Sequence, residues 1–276
     1  MTGTVWLASY PKSGNTWVRL LLGAAEQGEG FDWRRPGGPT DDAVRELGLS
    51  LSATSAAETA ALVRLSWVLE QRGHAVPLRR KTHRPWGLAA DGYPWGGPAD
   101  LIGTRAIHVV RDPRSVAVSW AHHRGCTQDE AVEDLATVSP GVLPWSTGEP
   151  EGWPRLGWSE HVTSWLDQTD LPVLTVRYED LHADPEGHLA AMAAFAGLSP
   201  TAEQIRDSVA WCDFPVLALR EAFEGFGEVA HLDRVFFRRG EVSSWTTELR
   251  SDLADTIVET HGTVMRRLGY LNESEI

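Results

Sequence analysis

Apolar residues in this chain alternate between short dense runs and longer stretches with helical spacing. Val5-Trp6-Leu7-Ala8 is short and bulky, and it predicts a buried first strand. Val18, Leu20, Leu21, Leu22 and Ala24 follow at spacings that suit a buried helix. Val76–Thr82, Ala106–Val110 and Pro172–Arg177 predict three more strands. Ser55-Ala56-Ala57-Glu58 has the form of a capping box, with Ala60, Ala61, Leu65, Val68 and Leu69 on one face after it. That helix is expected to end near Gly73, after a shorter one near Asp41–Leu47. Asp112 predicts an N-cap, with Pro113 at the first position of a helix carrying Val116, Ala117, Val118 and Trp120. Further helices are expected at 128–136, 159–168, 185–195, 200–211 and 247–268. Residues 26–53, 86–98 and 138–158, rich in Gly, Pro and Trp, read mainly as loops.

Strands alternating with helices imply βαβ units and a parallel sheet. The expected fold is therefore α/β: a single domain, residues 1–276, with a central parallel sheet flanked by helices. No repeat or linker divides the chain.

Composition narrows the function. The hydrophobic share of 42% and charged share of 23% are ordinary for a globular protein. The net charge of −13 argues against a broad nucleic-acid partner, which needs a basic face. No apolar run approaches the ~20 residues of a membrane span. No signal peptide is legible. Cys126 and Cys212 lie far apart without metal-type spacing and read as reduced thiols, so a cytoplasmic protein is expected.

Four segments carry candidate chemistry. Ser9-Tyr10-Pro11-Lys12-Ser13-Gly14-Asn15-Thr16-Trp17 joins the first strand to the first helix. Helix N-termini present unpaired N–H groups to anions. Lys12 adds a point charge, Ser13 and Thr16 add hydroxyls, and Gly14 permits close backbone approach. The lysine precedes the only glycine, so this is not the nucleoside-triphosphate loop G-x-x-x-x-G-K-[ST]. Arg111 sits at a strand end, where open α/β sheets bind ligands, and Ser119 follows two helical turns later. Phe236-Phe237-Arg238-Arg239-Gly240 precedes Trp245. Arg80-Lys81-Thr82-His83-Arg84-Pro85 places a histidine at the end of the second strand. Each alone has an ordinary structural reading: a turn, a salt bridge, a solvated charged loop, a surface or core histidine.

Together, and in this order from Val5 to Trp245, these segments resemble the sulfotransferases that use 3′-phosphoadenosine 5′-phosphosulfate (PAPS). The resemblance implies a phosphosulfate-binding loop at Lys12, Ser13, Gly14, Asn15, Thr16 and Trp17. It implies a 3′-phosphate site at Arg111 and Ser119, completed by Arg238, Arg239 and Gly240. Tyr178, in Tyr178-Glu179-Asp180, and Phe214, after Asp213, would approach the adenine. His83 would be the base on an acceptor hydroxyl, and Lys12 and Lys81 would stabilise charge on the transferring group. No metal is implied. The chain departs from the family's Gly-Asp-Trp-Lys ending, with Ser243-Ser244-Trp245-Thr246 in its place. The implied reaction moves a sulfuryl group to a hydroxyl of a small-molecule acceptor, a natural product being the best guess, and releases adenosine 3′,5′-bisphosphate. The alternatives are a P-loop-type small-molecule kinase and a non-catalytic nucleotide-binding module.

Overall fold

The computed structural model describes residues 3–34, 55, 57–58, 61–62, 64–65, 77–88, 92, 104–137, 139–140, 154–228 and 234–272. The expected helix at Asp41–Leu47, the end of the helix near Gly73 and the interiors of the 86–98 and 138–158 loops lie outside them. The chain divides into two compact units. One comprises residues 1–10, 37–108 and 137–175; the other comprises 11–36, 109–136 and 176–276.

The first unit holds the sheet. Its strands are β1 (Thr4–Ser9), β2 (Leu78–Thr82), β3 (Arg105–Val110) and β6 (Val173–Arg177), in the order β2-β1-β3-β6. β1 pairs in parallel with β2, Thr4 opposite Leu78 and Ala8 opposite Thr82. Lying between two neighbours, β1 is buried on both faces, which explains its unbroken apolar run. β2 is an edge strand and alternates, with Leu78, Arg80 and Thr82 buried and Lys81 exposed. Two short strands, β4 (Ser139–Pro140) and β5 (Pro154–Arg155), pair antiparallel where the sequence predicted only loop. The unit also contains a helix at Trp158–Asp167 with Trp158, His161, Val162 and Trp165 buried.

The second unit is helical. Helix α1 (Asn15–Gln27) packs against α6 (Pro185–Ala196) and α7 (Ala202–Trp211). Helix α2 (Pro113–Arg124) packs against α3 (Gln128–Ala136) and α10 (Ser251–Arg267). The helix of the first unit at Trp158–Asp167 is α4, and α5 (Tyr178–Ala183), α8 (Phe214–Glu224) and α9 (Trp245–Glu248) complete the described set. Asp112 caps α2 through the Arg114 N–H, with Pro113 at the first helical position as expected. The capping box at Ser55 is also present: Glu58 Oε2 accepts from the Ser55 N–H at 2.7 Å, and Ser55 Oγ accepts from the Glu58 N–H at 3.3 Å.

The expected helix at 247–268 is two helices. Leu249 and Arg250 are extended between α9 and α10. The break is held by Gln128, whose amide donates to the Glu248 carbonyl and accepts from the Arg250 N–H. Helix α8 was not predicted; Asp213 caps it by accepting from the Phe214 N–H, with Pro215 in the first turn.

The α/β class with a parallel sheet is the one the alternation of elements predicts. The two units were invisible in the sequence for a physical reason. Two of the five points at which the chain passes between them fall inside β3 and β6, where no linker composition could mark them.

Candidate active site

In the second unit, the turn after β1 is held open by backbone conformation. Lys12 has φ of 67° and Gly14 φ of 103°, both in the left-handed region. A side chain at Gly14 would place its Cβ 2.6 Å from the Tyr178 ring, so both φ and space require glycine there. Lys12 carries a Cβ at the same kind of φ, a strained state that persists only where surrounding structure enforces it. Its carbonyl accepts from Arg111 Nη1 at 3.3 Å, and its ammonium lies 4.7 Å from the Phe236 ring centroid. Ser13 is fully buried, and its hydroxyl has no hydrogen-bond partner among the described residues.

The side chains of the first turn of α1 are tied to each other. Arg19 donates through Nε to Asn15 Oδ1 at 3.1 Å and through Nη2 to Thr16 Oγ1 at 3.0 Å. Thr16 in turn donates to Glu228, whose two carboxylate oxygens both lie 2.7 Å from Arg19 Nη2. Trp17 donates its indole N–H to the Cys212 carbonyl at 3.0 Å and sits 5.6 Å from Tyr178. Asn15, Thr16 and Trp17 thus have defined protein partners, whereas the Ser13 hydroxyl has none among the described residues. The spacing of Arg19 from Asn15 and Thr16 was a readable signal. Glu228 offered none, being a distant surface-type glutamate.

Arg111 is the most telling residue. It is 8% exposed, yet it makes no ion pair among the described residues. Nη2 donates to the Glu241 carbonyl at 2.8 Å, the guanidinium lies over the Tyr178 ring at 4.3 Å, and Nε is buried without an acceptor. A buried cation needs an anion or a full set of acceptors. Two carbonyls take two of its five N–H groups and the buried Glu179 carboxylate interacts with its charge, so N–H groups remain, Nε among them, for a further acceptor. Ser119 lies one helical turn after Ser115 on α2, and Ser115 Oγ donates to the Val242 carbonyl at 2.8 Å. That places the Ser115–Ser119 face toward the chain just past Gly240.

Tyr178 gathers the rest. Its hydroxyl donates to the Gly240 carbonyl at 2.8 Å, and burial pushes its pKa up while Arg111 opposes the rise. Gly240 has φ of 67°, and a Cβ there would meet the Phe214 ring at 2.2 Å. Phe214 packs edge-on to Phe237. Glu221, which the sequence did not suggest, accepts from the N–H groups of both Phe236 and Phe237 and so fixes this segment. Arg238 is paired bidentately with Glu248, and Arg239 makes looser contacts with Glu241 and Glu248 while half exposed. Arg238 is therefore in a direct ion pair, whereas Arg111 is in none among the described residues.

In the first unit, His83 follows β2 directly. Its Nδ1 is 2.8 Å from the Ser9 carbonyl oxygen and 3.3 Å from Ser9 Oγ. A carbonyl only accepts, so Nδ1 carries the proton and Nε2 holds the lone pair. Lys81 is exposed on β2 opposite Leu7. Behind His83, His161 donates from Nε2 to the His83 carbonyl at 3.1 Å. His161 is buried, and burial lowers its pKa to about 4. His108, packed beside His161, is pushed well below the ordinary histidine value by burial, and neither ring nitrogen has a hydrogen-bond partner among the described residues. No group of three or more His, Cys, Asp or Glu residues among the described ones could hold a metal.

The chain matches the sulfotransferase domain over residues 2–269. It is 25% identical over 272 residues to cytosolic sulfotransferase 16 of Arabidopsis thaliana, covering 91% of this chain and 72% of that one. It is 24% identical over 267 residues to flavonol 3-sulfotransferase of Flaveria bidentis, covering 92% and 78%. Among solved structures, retinol dehydratase in complex with androsterone and the inactive cofactor PAP has a TM-score of 0.61 at 20% identity, over 95% of this chain and 80% of that one. A mouse sulfotransferase complexed with PAP has a TM-score of 0.58 at 18% identity, over 97% and 87%. The chain belongs to the sulfotransferase family, and the activity that goes with it is PAPS-dependent sulfuryl transfer.

Proposed function

We propose that residues 1–276 act as one sulfotransferase domain that sulfates a hydroxyl of a small-molecule acceptor in the cytoplasm. The observation that carries the donor assignment is Arg111. A buried guanidinium with an acceptor-less Nε, and Ser119 on a helix face nearby in the same unit, suits a second phosphate besides the one at the loop. ATP has no such group, whereas PAPS carries a 3′-phosphate. That feature disfavours the kinase reading, as does the lack of a Walker loop.

In this reading the loop residues Lys12, Ser13, Gly14, Asn15, Thr16 and Trp17 hold the 5′ side of the donor, chiefly through backbone N–H groups and the Ser13 hydroxyl. Arg111, Ser119, Arg238, Arg239 and Gly240 hold the 3′-phosphate, and Tyr178 and Phe214 border the adenine. PAPS supplies a sulfuryl group on a phosphate leaving oxygen. Lys12 neutralises charge growing on that oxygen, and Lys81 stabilises the sulfuryl oxygens. His83 takes the acceptor proton at Nε2, the nitrogen left basic by the Nδ1–H bond to the Ser9 carbonyl. Retention of both Lys12 and His83 argues against a binding-only module, which would need no base on the acceptor side.

The acceptor is read as a natural product with an extended or aromatic body. The related flavonol enzyme is named for an aromatic acceptor, and the tryptophans at 86, 95, 145 and 153 fall within the sequence of the expected acceptor loops. Calorimetry with adenosine 3′,5′-bisphosphate against ATP tests the donor. Preference for ATP would overturn the reading. A mass-spectrometric screen of hydroxyl compounds for a sulfate-sized gain tests the acceptor class.

A further inference from the structure

We infer that α4 is a positioning clamp for the catalytic histidine, with His161 as its central residue; this rests on the reading of His83 as the base. Beyond Thr82 the chain leaves the sheet, so residues 83–86 lose the ladder that would otherwise fix their backbone. One face of α4 takes over. His161, Ser164 and Trp165 stand at i, i+3 and i+4, the spacing of side chains that share a helix face. His161 Nε2–H donates to the His83 carbonyl at 3.1 Å. Trp165 Nε1–H donates to the Arg84 carbonyl at 2.9 Å. Ser164 Oγ accepts from the Trp86 N–H at 2.9 Å and donates to the His161 carbonyl at 2.6 Å. Three backbone groups in four consecutive residues are thus satisfied by one helix turn.

The clamp is braced from behind. The Tyr10 ring meets His161 edge-on at 5.5 Å, and His108 stacks on Trp165 at 5.9 Å. Trp86 packs on Trp165 and donates its indole N–H to Asp170 at 2.8 Å. His161 is 2% exposed and must stay in the Nε2–H form to donate to a carbonyl. Its ring touches no reacting atom in this reading. It acts through the backbone of His83, whose imidazole is held at its other end by the Ser9 carbonyl. With carbonyl and ring both fixed, the Nε2 lone pair of His83 has one direction. A base displaced by a fraction of an ångström loses much of its advantage.

The test compares His161→Phe, which keeps ring volume but not the donor, with His161→Gln, whose amide N–H can reach the same carbonyl. Protein carrying ¹⁵N-labelled histidine reports the His83 tautomer by NMR without any acceptor, the His83 signal being assigned by its loss in His83→Asn. Wild type and His161→Gln should show His83 protonated at Nδ1, and His161→Phe should show a mixture of tautomers. With 4-nitrophenol as acceptor, His161→Phe should lower kcat roughly 10- to 100-fold while the KM for PAPS stays within about twofold, and His161→Gln should recover most of the loss. A His161→Phe protein with the wild-type tautomer and kcat would overturn the inference, as would a glutamine variant no better than phenylalanine. Trp165→Phe removes the bond to the Arg84 carbonyl along with part of the ring packing, and it replaces His161→Phe if that variant does not fold; it should move the same readouts in the same direction, and unchanged readouts there would likewise overturn the clamp. An active His83→Asn would instead refute His83 as base and leave the tautomer result standing on its own.

Discussion

The region around Arg111 and the region around His83 solve opposite electrostatic problems. The first concentrates cations and donors that its own protein groups do not fully use: the Arg111 charge, its Nε and the Ser13 hydroxyl. In the second, His83, His161 and Trp165 aim ring N–H groups at backbone carbonyls, and burial lowers the pKa of His161 and His108. An anion holder must keep its surplus for the ligand. A base must keep one lone pair aimed. The difference means that the two regions can be damaged separately, and the predictions below rely on that.

The largest expected effect is on chemistry. His83→Asn keeps a hydrogen-bonding side chain but cannot take up a proton at neutral pH, so turnover should fall roughly 10²–10⁴-fold. Binding of adenosine 3′,5′-bisphosphate, measured by calorimetry, should change little. A folded variant with near-normal turnover would remove His83 as the base, and a matching loss of nucleotide affinity would erase the contrast between the two regions.

Arg111→Ala should do the reverse. Truncating one partner of a buried charge contact typically costs ~2–5 kcal/mol, and a loss in that range is expected for adenosine 3′,5′-bisphosphate. Adenosine 5′-phosphosulfate, which lacks the 3′-phosphate, should bind nearly as before. Equal losses for both ligands would sink the 3′-phosphate assignment.

Buried histidines should make the protein acid-labile. His161 and His261 have pKa values lowered from 6.5 to about 4 by burial, and His108 is lowered in the same direction. The unfolded chain binds more protons at these sites, so stability rises with pH. The contribution is complete above about pH 6.5 and is lost as pH falls towards 4, by up to about 3 kcal/mol for His161 and again for His261. Urea unfolding at several pH values through this window measures it. His261→Phe should flatten part of the slope without touching activity per folded molecule. An unchanged slope in that variant would mean that His261 is not among the sites responsible.

The smallest effect tests the loop itself. Gly14→Ala meets the Tyr178 ring at 2.6 Å and forces an L residue to φ of 103°. A loss of roughly 1–3 kcal/mol of stability is expected for backbone strain of this kind. Nucleotide affinity should fall along with it, because Tyr178 also contacts Arg111 and Gly240. Thermal melts with and without nucleotide separate the two losses.

Much of this protein was legible because its signals are local. The run Val5–Ala8, the capping box at Ser55 and the Asp112-Pro113 helix start each depend on neighbours within a few residues, and all appear in the structure. The order of the four motifs sufficed to indicate the family. What only the tertiary structure decided depends on contacts between residues far apart in sequence. Gln128 breaks the last helix in two from 120 positions away. Glu228 and Glu221 brace the loop at Thr16 and the aromatic pair at Phe236-Phe237, yet as isolated glutamates they resemble any surface residue. Arg238 is ion-paired with Glu248 while Arg111 donates to carbonyls and keeps a buried Nε without an acceptor among the described residues, a distinction no spacing rule contains. His161 looked like one polar position in an amphipathic helix. It became part of the site only when folding buried it against the His83 carbonyl, because desolvation and a single hydrogen-bond acceptor together fix its protonation and its direction.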